Sequence, residues 1–209
     1  MGENNEIRTV KKLGTGEYVE KKSRFLGFVY PVETEEEITQ ILADMRKKYW
    51  DARHVCFAYV LGEKGDRQRF SDDGEPSGTA GKPMLEILTG EGLTNVLIVV
   101  VRYFGGVLLG TGGLVRAYSS ATKEAIGDAG IVTMKKAREL VLSLDYNAFG
   151  KVQYFLKQEE LEPSGISYEG DVKITVPVPI DKYEQIKARI TDITGGTAEI
   201  TDGDEALVS

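Results

Sequence analysis

The 209-residue sequence predicts an α+β protein built as two domains. Three observations carry this. Hydrophobic spacing switches between period two and period 3.6 along the chain, so strands and helices alternate without an internal repeat. From Ala137 onward the order reads β-α-β-β-α-β, the split unit of ferredoxin-like domains. The charge balance changes at about the same place. Residues 1–135 hold 18 Lys and Arg against 19 Asp and Glu, and residues 136–209 hold 8 against 14. The expected domains are 1–135 and 136–209.

Each element has a local cause. Arg24 to Val32 reads as a strand. Thr34 with Glu37 forms a capping box, in which hydroxyl and carboxylate satisfy free amides of the first turn. The helix that follows, 35–49, carries Ile38, Ile41, Leu42, Met45 and Tyr49 on one face. It opens on three Glu and closes on Arg46, Lys47 and Lys48, which matches its dipole. His54 to Leu61 alternates, with Val55, Phe57, Tyr59 and Leu61 on one face and His54, Cys56, Ala58 and Val60 on the other. Residues 62–69 read as a loop or hairpin turn. Residues 71–83 hold too much Gly and Pro for regular structure, and a short helix through Met84, Leu85 and Leu88 follows. Val96 to Tyr103 is a strand buried on both faces. Gly105 to Gly113 turns the chain into a helix with Leu114, Ala117, Tyr118, Ala121 and Ala125 inward, stopped by Gly127 and Gly130. In the second domain a strand is expected over 139–146, a helix over 148–159, and strands near 165–170 and 172–178. A helix capped by Asp181 with Glu184 and stopped by Gly195-Gly196 comes next, then a strand near 197–202.

Composition excludes several functions. The longest aliphatic run, Val96 to Val101, falls far short of the roughly 20 apolar residues that span a bilayer. No apolar stretch follows Met1, and Glu6 occupies the place where acylation at Gly2 needs Ser or Thr. The expected location is the cytoplasm. One Cys and one His allow neither an internal disulfide, nor dithiol chemistry, nor a four-ligand zinc site; a hard-cation site of carboxylates stays open. The net charge of -7 leaves RNA contact to a local patch rather than the overall field. Twelve of the 24 glycines lie between Gly62 and Gly113, where backbone must turn sharply or approach something closely.

The chemistry-bearing residues concentrate in the same stretch. Near Lys82 a phosphate-loop motif fails, because Pro76 and Pro83 stand where Gly and Ser or Thr are required. Gly110-Thr111-Gly112 fails as a dinucleotide fingerprint, because Val115 replaces its third Gly. A glycine-rich turn opening a helix still presents backbone N–H groups beside a positive dipole end. Arg102 before that turn and Arg116 after it form a candidate anion site with Gly105, Gly106, Gly112 and Gly113. Equally, the arginines can pair with Asp72, Asp73 or Glu75, three carboxylates that otherwise suit a cation or acid–base work. His54 is the one available histidine base, or a hydrogen-bonded strand residue. Thr79, between Gly78 and Ala80, has an approachable hydroxyl. Ser71 or Ser77 has no strained elbow sequence to support a nucleophile. Cys56 reads as a buried small hydrophobe. Tyr103 and Phe104 suit either base stacking or packing at a strand end.

Three blocks are recognisable together. Ser71-Asp72-Asp73-Gly74-Glu75-Pro76-Ser77-Gly78-Thr79-Ala80-Gly81, then Arg102-Tyr103-Phe104-Gly105-Gly106, then Leu109-Gly110-Thr111-Gly112-Gly113-Leu114-Val115-Arg116-Ala117-Tyr118 closely resemble the signature of the IMPACT/YigZ family. Ala52-Arg53-His54 through Tyr59 is similar to its preceding strand. The resemblance covers about 20–130, and the chain beyond about 138 resembles the small C-terminal domain of the bacterial members. It implies a first domain like the second domain of a small-subunit ribosomal protein, with a left-handed β-α-β crossover, and a ferredoxin-like second domain. Eukaryotic members regulate translation through a ribosome-associated partner. Their extra N-terminal interaction domain is not in this sequence, so that route is not expected to transfer.

The expected function is therefore translation-associated regulation, by binding RNA, the ribosome or a ribosome-associated partner, with no membrane contact and no cofactor. The alternative is an enzyme or small-molecule binder whose anion or metal pocket is formed by Asp72, Asp73, Glu75 and Thr79 with Arg102 and Arg116.

Overall fold

A computed structural model describes residues 5–208, except the side chain of Glu169. Gly2, considered above for acylation, lies outside the described residues. The chain divides into two compact units: Ile7–Thr133, and the described parts of Met1–Glu6 and Met134–Ser209.

The elements of the first unit are most of β1 (Glu6–Val10), then β2 (Gly14–Glu20), β3 (Ser23–Pro31), α1 (Glu35–Lys48), β4 (His54–Leu61), β5 (Arg67–Ser71), α2 (Gly81–Gly90), β6 (Val96–Tyr103) and α3 (Gly110–Ala129). Five strands form a sheet in the order β2-β3-β6-β4-β5, each neighbour antiparallel. β3 and β4 thus run the same way with β6 between them, and α1 is the helix of that β-α-β crossover. Every residue of β4 is buried, because its two faces enter different cores. Cys56, Ala58 and Val60 meet residues of α2 and α3, whereas Val55, Phe57, Tyr59 and Leu61 meet α1.

The capping box of α1 is formed as expected. Glu37 N–H donates to Thr34 Oγ1 at 3.1 Å, and Glu37 Oε2 accepts from the backbone of Glu33 at 2.8 Å and Thr34 at 3.4 Å. Elsewhere the structure differs from expectation. Regular structure begins before Arg24, with β1 and β2. β1 is held by Thr94 N–H donating to Arg8 O at 2.9 Å. Glycines mask β2 in the sequence, and they serve the approach of α3. A Cβ added at Gly16 would lie 2.6 Å from Ala125 N, and one at Gly27 of β3 2.5 Å from Ala121 O. Part of the expected loop 62–69 is β5, an edge strand whose residues are nearly all exposed, so no alternation marks it. α3 begins at Gly110, so Gly112 and Gly113 belong to its first turn. Gly127 lies inside the helix, and Gly130 (φ 70) ends it.

The second unit contains most of β7 (Ile131–Leu144), then α4 (Tyr146–Gln158), β8 (Gly165–Glu169), β9 (Asp171–Pro179), α5 (Tyr183–Thr194) and β10 (Glu199–Val208). Antiparallel pairing gives the order β10-β7-β9-β8, that of a ferredoxin-like sheet. Leu140, Leu142 and Leu144 with Val172, Ile174, Val176 and Val178 bury one face under α4 and α5. Two boundaries differ from expectation. The strand expected to reach Tyr146 stops at Leu144, because Asp145 Oδ1 accepts from Ala148 N–H at 2.8 Å and starts α4. Asp181 does not cap α5; Ile180–Lys182 forms a 3₁₀ turn, and the helix follows with no side-chain cap. Among the described residues, no helix is long and apolar enough to cross a membrane.

Candidate functional site

The register of β4 on β6 sets the site, because it pairs His54 with Arg102. Residues 71–80 fold across the ends of these strands, and each of their three carboxylates takes a separate task.

Asp72 stands in for the missing N-cap of α2. Ala80 occupies the cap position and has no side chain to bond. Asp72 Oδ1 instead accepts from Ala80 N–H at 3.0 Å and Gly81 N–H at 2.8 Å, and Oδ2 from Gly78 N–H at 2.8 Å. A carboxylate at this helix end satisfies orphan amides and the dipole together. Asp73, at φ 42, accepts from Val55 N–H at 2.7 Å and Arg46 Nη2 at 2.9 Å. Its carbonyl lies 2.8 Å from His54 Nδ1.

Glu75 is the buried member, its side chain 3% exposed. Its Oε1 accepts from Arg102 Nη1 at 2.6 Å and from the Tyr118 hydroxyl at 2.8 Å. His54 Nε2 lies 3.9 Å from Oε2. Arg102 is itself buried, its guanidinium 5.4 Å from the Phe25 ring centre and 5.6 Å from that of Phe104. Among the described residues its Nε has no hydrogen-bond partner. Cys56 completes the cluster, donating to Asp72 O at 3.0 Å and lying 3.4 Å from the Tyr118 hydroxyl. Burial pushes the Cys56 thiol and the Tyr118 hydroxyl far above their ordinary values. Both therefore stay protonated, and Tyr118 is a fixed donor to Glu75.

The sequence-predicted residues separate into two sets. Asp72, Asp73, Glu75 and Arg102 come together, but they close on each other and on backbone amides. Thr79 is buried, and its hydroxyl donates to Pro76 O at 2.7 Å, so it is not approachable. Among the described residues, no group of His, Cys, Asp and Glu is arranged to hold a metal ion. Tyr103 lies with the α1 core and donates to Asp51 Oδ1 at 2.9 Å. Gly105 N–H donates to Ser23 Oγ at 3.1 Å, and a Cβ there would run into the Lys22–Ser23 peptide. Gly106 (φ 83) and Gly112 have open space around them, whereas Gly113 is buried against Leu109. Arg116 does not join Arg102. It is exposed and makes no hydrogen bond or ion pair among the described residues.

What stays open is the segment after β6. Phe104 is 39%, Val107 47% and Leu108 83% exposed, and the first turn of α3 has no side-chain cap. Tyr118 reads from the sequence only as a packing residue. Its (i, i+4) place beside Leu114 on the inner helix face carries no sign that its hydroxyl meets Glu75.

Residues 21–126 match the Impact N-terminal domain, and residues 142–197 match a domain of unknown function (DUF1949). The chain is 39% identical over 196 residues to the IMPACT family member YvyE of Bacillus subtilis, covering 94% of this chain and 90% of that protein. The chain belongs to the IMPACT family. A second family member, YigZ of Escherichia coli, is 37% identical over 86% of this chain and 89% of its own length. The Protein IMPACT of Mus musculus is 35% identical over 44% of this chain and 30% of its own length. A solved structure described as that of a hypothetical protein has 33% identity and a TM-score of 0.63, covering 94% of this chain and 96% of that one. The signature blocks of the IMPACT family thus coincide here with the closed Asp72–Glu75–Arg102 cluster and the open segment beside it.

Proposed function

We propose that this IMPACT family member is a cytoplasmic regulatory protein of translation, binding RNA, the ribosome or a ribosome-associated partner. Residues 1–135 would carry the contact and residues 136–209 an acidic ferredoxin-like domain suited to a protein partner. The observation behind this reading is the division of labour at the site. Glu75, Arg102 and Tyr118 satisfy one another in the interior. The segment from Phe104 through Gly105, Gly106, Gly112 and Gly113 to Arg116 leaves the Val107, Leu108 and Arg116 side chains exposed with no such internal use among the described residues. Free amides at the start of α3 and the Arg116 guanidinium suit phosphate.

A second reading keeps one observation in its favour. The buried Nε of Arg102 lacks a partner among the described residues, as expected if a small anion completes a pocket there beside Glu75 and Tyr118. Co-sedimentation with ribosomes tests the first reading. Retention of the wild type should fall as salt rises, and Arg116→Ala and Leu108→Glu should weaken it without altering the melting temperature. Retention indifferent to salt and to both changes would overturn it. A melting temperature raised by inorganic phosphate and unaffected by Arg116→Ala would favour the second reading.

A further inference from the structure

Trp50 is the one tryptophan of the chain, and it is 81% exposed. Its indole makes no hydrogen bond or ring contact among the described residues. It follows α1 and precedes Asp51, which accepts from Tyr103; three residues further on, the Arg53 guanidinium lies 5.7 Å from the Phe104 ring centre. Pairing of Arg24 with Tyr103 and of His54 with Arg102 brings the end of α1, the start of β4, the end of β6 and the β2–β3 turn to one end of the sheet.

That end is cationic in a chain of net charge -7. Of its acidic groups, Glu17 holds Arg24 at 2.7 Å and Asp73 holds Arg46 at 2.9 Å, while Asp51 meets only the Tyr103 hydroxyl and Glu20 forms no ion pair among the described residues; the free cations outnumber these two. Lys21, Lys22, Lys47, Lys48, Arg53 and Arg116 form no ion pair among the described residues. Trp50 therefore stands open among unpaired cations, whereas Phe104 at the same end already has the Arg53 and Arg102 guanidiniums 5.7 Å and 5.6 Å from its ring centre. Stacking platforms interleaved with backbone-tracking charge are the chemistry of single-stranded nucleic acid. A duplex keeps its bases stacked on each other and offers none to an aromatic face.

We propose that Trp50 is a stacking platform for the bases of single-stranded RNA, with Arg53 and the neighbouring lysines on its phosphates. This rests on the ribosome- and RNA-binding reading above and narrows it to one surface and one ligand class. A protein partner would call for a continuous apolar patch, whereas the chain around Trp50 carries Lys47, Lys48, Asp51 and Arg53.

The native protein carries its own reporter, since all tryptophan emission comes from Trp50. The full chain is titrated with a short oligouridylate and with an RNA duplex of equal length. The oligouridylate should quench Trp50 emission and shield it from iodide, and the duplex should do neither. Read by the anisotropy of an end-labelled oligouridylate, since neither variant has a tryptophan, Trp50→Ala should weaken binding about tenfold with the salt slope unchanged, and Trp50→Phe should restore most of it. Arg53→Ala should instead lower the salt slope by about one. An oligouridylate that saturates without quenching, or a Trp50→Ala variant of unchanged affinity, overturns the proposal. So does a wild type that sediments with ribosomes yet ignores oligouridylate, which leaves the broader reading standing through a protein contact. A wild type that binds neither defeats both.

Discussion

Glu75→Gln tests whether the buried cluster is held by charge compensation. The substitution preserves shape and keeps an oxygen to accept from Tyr118, which lies at 2.8 Å. It removes only the negative charge facing Arg102 Nη1 at 2.6 Å. The guanidinium cannot move to water cheaply, because it is 6% exposed by side chain and its Nε already lacks a partner. Breaking such a pair from one side costs about 3–5 kcal/mol. For a unit spanning Ile7–Thr133, at about 3–4 °C per kcal/mol, the melting temperature should fall by about 10–20 °C. Arg102→Met should cost a similar amount, since it strands the carboxylate. The double variant Glu75→Gln/Arg102→Met carries neither charge and should recover most of the loss. The assay is thermal unfolding combined with hydrogen exchange at the β4 and β6 amides, which reports on this unit and not on the other. If the two single losses add in the double variant to within about 0.5 kcal/mol, the two groups are not coupled and the reasoning fails.

Three further outcomes follow from the geometry. Gly105→Ala should destabilise by about 1–3 kcal/mol, because its Cβ would strike the Lys22–Ser23 backbone; equal melting temperatures for this variant and wild type would contradict that. Cys56 should resist iodoacetamide at mildly alkaline pH in the native state and react after urea unfolding, since burial raises its thiol pKa and the thiolate is the reactive form; equal labelling rates in both states would be inconsistent with its placement. In the second unit, hydrogen bonds first from Lys187 Nζ (2.6 Å) and then from the Tyr183 hydroxyl (2.9 Å) hold the Asp202 carboxyl below its ordinary range. A depressed folded-state pKa means that the contribution of Asp202 is complete above the unfolded value near about 4 and is lost as pH falls through the folded value. Melting of Asp202→Asn should therefore be less sensitive to acid than that of wild type over this window, and identical pH profiles would refute the assignment.

The candidate site is half legible in the sequence. Asp72, Asp73, Glu75 and Arg102 stand out by residue type, and residue type alone already allows the arginine to pair with a carboxylate. Which carboxylate it meets is not legible, because Asp72 and Glu75 differ by three positions in an irregular loop. Tyr118 is hidden because a hydroxyl on an apolar helix face leaves the same pattern whether or not it is bonded. Arg116 looks equivalent to Arg102 in the sequence, yet one is exposed and the other buried. Trp50 is hidden for the opposite reason: nothing in the spacing around it distinguishes an aromatic that packs from one left in water.

By itself the sequence determined what depends on neighbours within a turn of helix or along one strand. The capping box and charged ends of α1, the alternation of β4, the two buried faces of β6, and the β-α-β-β-α-β order of the second unit are all of this kind. So are the motif blocks that place the chain in the IMPACT family. Tertiary structure decided what depends on which strands become neighbours. Register of β4 on β6 brings Arg102 to Glu75, 27 residues away in the chain, and lets Asp72 cap a helix that starts nine residues later. It also set why β2 is glycine-rich, since Gly14 and Gly16 admit α3 against the sheet. The physical reason is range. Backbone propensity and side-chain periodicity are local, whereas the pairing of a buried charge and the exposure of an aromatic ring depend on contacts between distant segments that no single stretch of sequence contains.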